Sequence, residues 1–456
     1  MAIATNCSLD IQIIKNLADQ MRDSNWVIET ATHPSNNNPK SFQNIPLWGG
    51  VSLAGGYSSI LLLFSQLDNL FPNEKWGDAA HEYVLKIKND LEEHGVNSIP
   101  VSLYGGLAGV CFSIYHASKE NTRYYRLIDQ LNDYLIEAIN THYLIPLQYN
   151  LRQGRPSEIP AYDLIQGIVG QGVYAISNLS SEKLNSFAKE IIRTLIDLTK
   201  PIRVESTWVP GWYAPSYFQL TKEEELEFPK GNFNLGLAHG VTGILAFLSI
   251  AALRGIEVEG QIEAIETVTN WLKTHRKEFN GTYFWPAKIS YADEFQKNGN
   301  SESKFSGRDA WCYGTPGIAR SLYLAGKVLK NDSLQTYALD SFRSVFFRDR
   351  EDWYLPGPTC CHGIAGLLLI TSFMEKDTSV KDLKERKSEL KNTLLQYYSS
   401  SHPFGFKDYD PTTDGKNVEI DRPGFLEGSV GILLTLLSLT NRTNWWDAPF
   451  LISAGN

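Results

Sequence analysis

Three short segments of the sequence combine residue types that bind metal ions and transfer protons. They are Ala238-His239-Gly240, Trp311-Cys312-Tyr313-Gly314 and Cys360-Cys361-His362-Gly363. Together they contain three of the five cysteines and two of the nine histidines of the chain. Thiolates and imidazoles bind Zn²⁺, and a free imidazole exchanges protons near neutral pH. These residue types therefore favour a metal site, provided that the three segments converge in the fold.

Each segment ends at a glycine that begins a G-x-x-G step followed by an apolar run, and this step recurs along the chain. The glycine pairs are Gly106/Gly109, Gly167/Gly170, Gly240/Gly243, Gly314/Gly317, Gly363/Gly366 and Gly428/Gly431, and a degenerate first copy begins at Gly56. Self-similarity on this length scale indicates stacked supersecondary units, which we number one to seven. Equivalent positions of such units can converge in space.

The sequence around these glycines predicts two kinds of helix. Runs such as 244–248 and 432–437 are apolar nearly all round, as expected of buried helices. The stretches 184–198 and 380–398 instead carry an apolar stripe at helical spacing, as expected of half-exposed helices. Seven alternating pairs predict an all-α fold, an α/α toroid in which seven outer helices surround a ring of seven inner helices.

Residues 200–234 interrupt the helical pattern. This segment is rich in Pro, Trp, Tyr and Phe and includes an acidic run at 223–225. It predicts a small β-containing or extended insertion, which is either an ordered surface loop or a peptide-binding element. Because a closed ring of repeats can remain one unit at this length, residues 1–456 are expected to form a single toroid domain that includes the insertion.

Composition excludes several classes of protein. The net charge of −9 gives no general electrostatic footprint for nucleic acid, so no nucleic-acid partner is expected. The longest apolar runs are too short to span a membrane, and residues 1–25 lack the pattern of a secretory signal. Five cysteines in so long a chain favour a reducing, cytoplasmic location, where clustered cysteines bind metals more often than they form disulfides.

The repeat also brings cysteines together. If the inner helices run parallel, their N-terminal ends meet at one mouth of the ring. Two residues before the first glycine, cysteine occurs in units five and six alone, as Cys312 and Cys361, and His362 follows. Two thiolates and one imidazole suit Zn²⁺ and leave a fourth position open, as in catalytic sites. Cys360 is an alternative to Cys361, but its offset from the glycine of its unit does not match that of Cys312.

These motifs resemble those of the lanthionine synthetase C-like family. A-H-G, W-C-Y-G and C-H-G occur in this order among seven G-x-x-G-like helix starts, over about residues 49–439. The resemblance implies a double-ring α toroid that uses zinc to add a peptide cysteine thiol to dehydroalanine or dehydrobutyrine, forming lanthionine or methyllanthionine. Because the first repeat begins by about residue 50, it also implies a free-standing cyclase of class I lanthipeptide (lantibiotic) biosynthesis.

The resemblance extends to individual residues. It implies that the zinc ligands are Cys312, Cys361 and His362. It places the other active-site residues at His239, Asp163, Arg308 and Tyr313, where Asp163 belongs to the motif Y-D-x-I-x-G at 162–167.

These residue types suit the implied reaction. Two thiolates and a neutral imidazole leave a zinc centre formally uncharged, which favours a nucleophilic thiolate over activation of water. His239 is expected to act as general acid or base, because the ordinary pKa of histidine lies near neutrality. Asp163 is expected to orient His239, or alternatively to cap a helix. Arg308 is expected to stabilise the enolate or to anchor the peptide backbone, or alternatively to pair with Asp309.

The expected substrate is a dehydrated precursor peptide that carries a leader. The resemblance also implies partners, a dehydratase and an ABC transporter in a membrane-associated complex, which would hold the protein at the inner face of the membrane. Two alternative functions remain at this point, transfer of glutathione or another small thiol, and a non-catalytic, zinc-stabilised scaffold that binds peptides. A zinc hydrolase is less favoured, because the sequence has no H-E-x-x-H motif.

Overall fold

A computed structural model describes residues 2–41, 45–219, 221–296, 307–440 and 445–455. Its α-helices are α1 (Ala2–Gln20), α2 (Ser24–Ala31), α3 (Tyr57–Leu70), α4 (Trp76–His94), α5 (Leu107–Ala117), α6 (Tyr125–Ile139), α7 (Ile145–Arg152), α8 (Ile159–Tyr162), α9 (Ile168–Ser177), α10 (Glu182–Leu198), α11 (Lys222–Glu227), α12 (Val241–Leu253), α13 (Gln261–Thr274), α14 (Tyr291–Gln296), α15 (Thr315–Val328), α16 (Asp332–Ser344), α17 (Ile364–Thr378), α18 (Lys381–Gln396) and α19 (Ser429–Ser438). Its strands are β1 (Ile202–Val204), β2 (Thr207–Val209), β3 (Asn232–Asn234), β4 (Lys277–Phe279), β5 (Thr282–Phe284), β6 (Lys288–Ser290), β7 (Asp408–Pro411) and β8 (Asn417–Ile420). Helices thus dominate, and the strands form small two-stranded sheets.

Seven apolar helices form the inner ring, each beginning directly after the first glycine of its unit. They are α3, α5, α9, α12, α15, α17 and α19, and each packs against the next, with α19 packing back against α3. Helix α12 is buried at every residue of 241–251, as the all-round apolar pattern predicts. The predicted α/α toroid is confirmed, because the inner helices close on themselves.

The outer ring consists of amphipathic helices. Helices α4, α6, α10, α13, α16 and α18 each follow and pack on the inner helix of their own unit. The predicted stripes at 184–198 and 380–398 correspond to α10 and α18. The seventh outer position is filled by the N-terminal helix α1, which packs on α19 and thereby joins the two ends of the chain.

A belt of backbone hydrogen bonds links the loops that precede the inner helices. The N–H of Ala54 donates to the carbonyl of Tyr104 over 2.8 Å, that of Leu164 to Ala238 over 3.1 Å, and that of Leu237 to Cys312 over 2.9 Å. The N–H of Cys312 donates to the carbonyl of Cys361 over 3.3 Å, that of Cys361 to Leu426 over 3.0 Å, and that of Phe425 to Ala54 over 2.8 Å. Each bond crosses from one unit to its neighbour, and the last returns from unit seven to unit one. The belt therefore fixes the residues just before each glycine relative to one another.

The C-terminal segment, residues 445–455, packs into the ring. Its carbonyls accept hydrogen bonds from inner-ring side chains: the hydroxyl of Tyr104 donates to Pro449, the indole of Trp311 to Phe450, and the guanidinium of Arg320 to Ile452. Farther along, Arg254 at the end of α12 donates to Ala454 at 2.9 Å. The donors of these bonds are distributed from the loops at the N-terminal end of the inner helices to their C-terminal end. The segment therefore fills the centre of the toroid.

The predicted β-containing insertion at 200–234 is present. It contains the hairpin β1–β2, the short helix α11 and the strand β3, which pairs with β6 outside the insertion. Leu220 lies outside the described residues. Among the helices of the described residues, none has both the length and the apolar character needed to cross a membrane.

Candidate active site

A large cavity opens where the inner helices begin, with a volume of about 1420 Å³. Its wall includes the two residues that precede the first glycine in several units. These are Ala54, Tyr104, Gly105, Ile165, Gln166, Ala238, His239, Cys312, Tyr313, Cys361, His362, Leu426 and Glu427. The convergence of equivalent repeat positions at one mouth follows from the parallel inner helices and from the belt that joins their loops.

The two predicted cysteine ligands meet in this cavity. A hydrogen bond between the side chains of Cys312 and Cys361 lowers the pKa of Cys312 and raises that of Cys361. Next to them, burial lowers the pKa of His362 to about 4, with the charges of Arg308 and Arg422 acting in the same direction. A neutral imidazole is the form that binds a metal ion, so His362 is prepared for coordination.

Glu427 is a site residue that the sequence reasoning missed. Ligand atoms of Cys361, His362 and Glu427 all lie within 4.8 Å of one another. Burial raises the pKa of Glu427 to about 8, and the neighbouring Asp408 adds to the effect. The signal was present in the repeat, because Glu427 immediately precedes the glycine of unit seven, as His362 does in unit six.

Cys360 lies apart from this group. Its side chain is fully buried, its sulfur lies 3.5 Å from the hydroxyl of Thr435, and burial raises its pKa to about 12. It occupies the position three residues before the glycine, where other units place Leu237 or Trp311 against the next inner helix. The structure thus directs Cys361, and not Cys360, towards the cavity.

His239 and Asp163 form a hydrogen-bonded pair in the cavity wall. Nδ1 of His239 lies 2.6 Å from one carboxylate oxygen of Asp163, whose side chain is fully buried. The other oxygen accepts from the N–H groups of Gln166 and Gly167, at 2.7 and 3.0 Å. Asp163 therefore caps the turn before α9 and orients His239 at once, which combines the two roles expected for it.

Arg308 stands at the edge of the cavity, near both cysteines. Its charge favours the ionised forms of Cys312 and Cys361. The alternative pairing with Asp309 does not describe this site, because the buried carboxylate of Asp309 is held by Arg348 at 2.5 Å. The carbonyl of Arg308 would lie 1.7 Å from a Cβ at Gly314, whose φ is +105°. Only glycine fits there, so the loop from Arg308 to Cys312 folds back tightly.

Tyr313 connects the site to the insertion. Its hydroxyl accepts a hydrogen bond of 3.0 Å from the amide of Asn234 in β3, and burial raises its pKa. The insertion also supplies Phe218, Gln219 and Glu224 to the cavity wall. Glu224 is held by an ion pair of 2.5 Å to Lys288, which lies on β6. The insertion is thus a fixed wall of the cavity.

The donor set fits a zinc ion. Two thiols in hydrogen-bond contact and a neutral, buried imidazole provide sulfur and nitrogen ligands at one end of the cavity. Cys312 lies beside Cys361 but outside the group of Cys361, His362 and Glu427. The chemistry of these side chains thus suits a thiolate-rich metal site that faces an acid–base pair across one cavity.

Comparison with known proteins agrees with this architecture. The chain is 26% identical, over 97% of both proteins, to the nisin biosynthesis protein NisC of Lactococcus lactis subsp. lactis. Its fold matches the solved structure of a nisin cyclase with a TM-score of 0.77 and 24% identity, over 97% of this chain and 98% of that one. The sequence model of the family described as "Lanthionine synthetase C-like protein" matches residues 48–451. The chain therefore belongs to the lanthionine synthetase C-like protein family.

Proposed function

We propose that this protein is a zinc-dependent lanthipeptide cyclase. It adds cysteine thiols of a dehydrated precursor peptide to dehydroalanine or dehydrobutyrine and forms lanthionine or methyllanthionine rings. The observation that carries the proposal is the arrangement of the cavity, which is lined both by His239, held from behind by Asp163, and by the Cys312–Cys361–His362 group. Family membership and the relative named for nisin biosynthesis support the same activity.

The cysteine and histidine group prepares the nucleophile. Cys312, Cys361 and His362 would hold a zinc ion, which when bound lowers the pKa of a coordinated thiol and so makes a nucleophilic thiolate available at neutral pH. Cys312 and His362 are buried and Cys361 is half-buried, so little of this group is itself exposed to solvent. The positive charge of Arg308 beside them favours an anionic sulfur.

The addition requires one proton to be moved. The sulfur forms a bond to Cβ of the dehydro residue, the C=C π pair moves towards Cα and the amide oxygen, and Cα then takes a proton. We assign delivery of this proton to His239, because its side chain is 30% exposed and lines the cavity while Asp163 holds its Nδ1. Arg308 is the cation available to the developing enolate.

The insertion and the partners are the remaining parts of the proposal. We propose that residues 200–234, whose Phe218 and Gln219 line the cavity, help to bind the precursor peptide. We also propose that the toroid and its insertion act as one domain. A dehydratase, an ABC transporter and a cytoplasmic location at the inner face of the membrane remain predictions, as does the expectation that no nucleic acid is bound.

Mass spectrometry with thiol alkylation tests this function. Zinc-loaded protein is incubated with a dehydrated precursor peptide, and the remaining thiols are alkylated. We expect an unchanged peptide mass and the loss of one alkylation site for each ring formed. A mass increase in the presence of glutathione would favour small-thiol transfer. Full alkylation of every cysteine, with the peptide bound, would favour the scaffold.

A further inference from the structure

The type of residue directly before the first glycine differs from one unit to another. In units three to seven this position holds side chains that line the cavity, namely Gln166, His239, Tyr313, His362 and Glu427. In units one and two the same position is glycine, as Gly55 and Gly105. The circle of side chains around the mouth therefore has a gap next to unit seven, which carries Glu427.

Neither glycine is required by the backbone. Gly55 and Gly105 both lie outside the left-handed region of φ. Within the described part of the chain, a Cβ on Gly55 would meet no atom within 4 Å, and one on Gly105 would meet only the hydroxyl of Ser102, at 3.2 Å. By contrast, a Cβ on Gly56 would lie 2.0 Å from the carbonyl oxygen of Gly50. What Gly55 and Gly105 provide is open space.

That space is a side pocket of about 240 Å³. Its wall consists of Ile45, Pro46, Leu47, Gly49, Ser52, Ala54, Gly55, Gly105, Arg422, Pro423, Gly424 and Glu427. Five of these residues, Ile45, Pro46, Ala54, Gly105 and Glu427, also line the main cavity, so the two spaces adjoin along this wall. The volume is about eight times the ~30 Å³ of one water molecule, enough for a side chain of several carbon atoms.

The charge in the pocket wall is neutralised. Arg422 is buried and forms an ion pair with the buried carboxylate of Asp408, and a second carboxylate, that of Asp410, lies 3.6 Å away. Its guanidinium therefore contributes little attraction for an anionic group. The remaining surface around Ile45, Pro46 and Leu47 is apolar, which favours an uncharged, apolar occupant.

We propose that this side pocket binds the apolar side chain that flanks the reacting cysteine of the substrate peptide. The proposal rests on the cyclase function, because the pocket opens beside Glu427, which lies within 4.8 Å of the Cys361 and His362 ligand atoms. A peptide thiol placed at that group brings its neighbouring residue to the pocket entrance. When the residue next to the reacting cysteine is glycine, water occupies the pocket. When that residue is leucine, its side chain occupies the pocket.

Burial of a leucine-sized side chain changes binding by about 10- to 100-fold. Two dehydrated peptides that differ only in leucine or glycine next to the reacting cysteine measure this preference. We expect the wild-type protein to favour the leucine peptide by that factor in kcat/KM. The same preference is expected in the Kd of unreactive versions of the peptides, in which serine replaces the dehydro residue.

A graded series of substitutions at Gly55 locates the effect. Gly55→Ala leaves most of the pocket open, and Gly55→Val and Gly55→Leu fill it progressively without backbone strain. We expect the preference for leucine to fall in that order, because the leucine peptide loses more kcat/KM than the glycine peptide as the pocket is filled. The proposal would be overturned if the wild type had the same kcat/KM for the two peptides, or if Gly55→Leu lowered kcat/KM for both by the same factor. A Kd preference without ring formation would retain the pocket and reject the cyclase.

Discussion

At the scale of single residues, the proposed mechanism assigns metal binding and proton transfer to different side chains. Cys312, Cys361 and His362 form one group, and His239 is held by Asp163 in another part of the same wall. The two groups belong to different units and share no direct bond in the described structure. Substitutions should therefore separate the two functions.

The first prediction concerns His239. His239→Ala should retain zinc and bind the precursor peptide, yet form rings about 10²–10⁴-fold more slowly, because loss of a general acid or base typically has this cost. Metal analysis, peptide binding and single-turnover ring formation measure the three properties. Near-normal ring formation by the zinc-loaded variant would exclude His239 from proton transfer.

The second prediction concerns the three cysteines of units five and six. Cys312→Ala and Cys361→Ala should each lose the metal, because each removes a sulfur from the group in the cavity. Cys360→Ala serves as the matched control and should keep its zinc, since Cys360 points into the protein interior against Thr435. Zinc retained in both of the first two variants would contradict the assignment, and loss in Cys360→Ala alone would transfer it to that residue.

At the scale of elements, the loops before the inner helices are held both by their neighbours and from within the ring. Trp311, one residue before Cys312, donates a hydrogen bond of 2.8 Å to the carbonyl of Phe450, and the two rings pack edge to face at 5.2 Å. Away from the cysteine loop, the indole of Trp445 donates to the carbonyl of Ser453 within the C-terminal segment itself. The segment therefore supports the cysteine loop through Phe450, and the Trp445 bond makes no contact with that loop.

The third prediction compares these two tryptophans. Trp311→Phe and Trp445→Phe each remove an indole N–H bond, and each should lower the free energy of unfolding by about 1 kcal/mol. Only Trp311→Phe should also weaken zinc binding, because only its loop carries a ligand. Chemical unfolding and competition for zinc with a chelator measure the two effects. Equal zinc affinities in the two variants would contradict a supporting role for the segment.

The elements also show what the sequence could and could not predict. The G-x-x-G repeat predicted the inner helices and, through its register, placed Cys312 and Cys361 at equivalent positions. It could not assign α1 as the seventh outer helix, because that contact joins the two ends of the chain and leaves no local pattern. Glu427 was missed because a single carboxylate does not by its type mark a metal site, although its position before the glycine of unit seven matches that of His362. The pairing of His239 with Asp163 was reached only through the family resemblance.

At the scale of the whole molecule, a half-buried histidine lies away from the active site. His116 lies at the end of α5, and its Nε2 is inaccessible and has no hydrogen-bond partner among the described residues. Burial lowers its pKa from 6.5 to about 4. Protonation is therefore much easier in the unfolded chain than in the folded ring.

The fourth prediction is an acid-dependent loss of stability. Because the folded pKa is below the unfolded value, the contribution of neutral His116 is fully present above pH 6.5 and is lost as the pH falls towards 4. The loss should reach about 3 kcal/mol below that pH. In His116→Phe, the decrease in the free energy of unfolding across this pH range should be smaller by that amount. The control His94→Gln, at the exposed end of α4, should show the same decrease as the wild type. An identical pH dependence in both variants would contradict the prediction.

Deuterium incorporation tests the central claim most directly, because it reports the new carbon–hydrogen bond that accompanies each thioether. Zinc-loaded protein is incubated with a dehydrated precursor peptide in D₂O, and the product is fragmented by mass spectrometry. We predict one deuterium at Cα of each former dehydro residue whose partner cysteine has become resistant to alkylation, and a much slower appearance of both changes with His239→Ala. Peptide that stays free of deuterium with all its cysteines still open to alkylation would contradict the account.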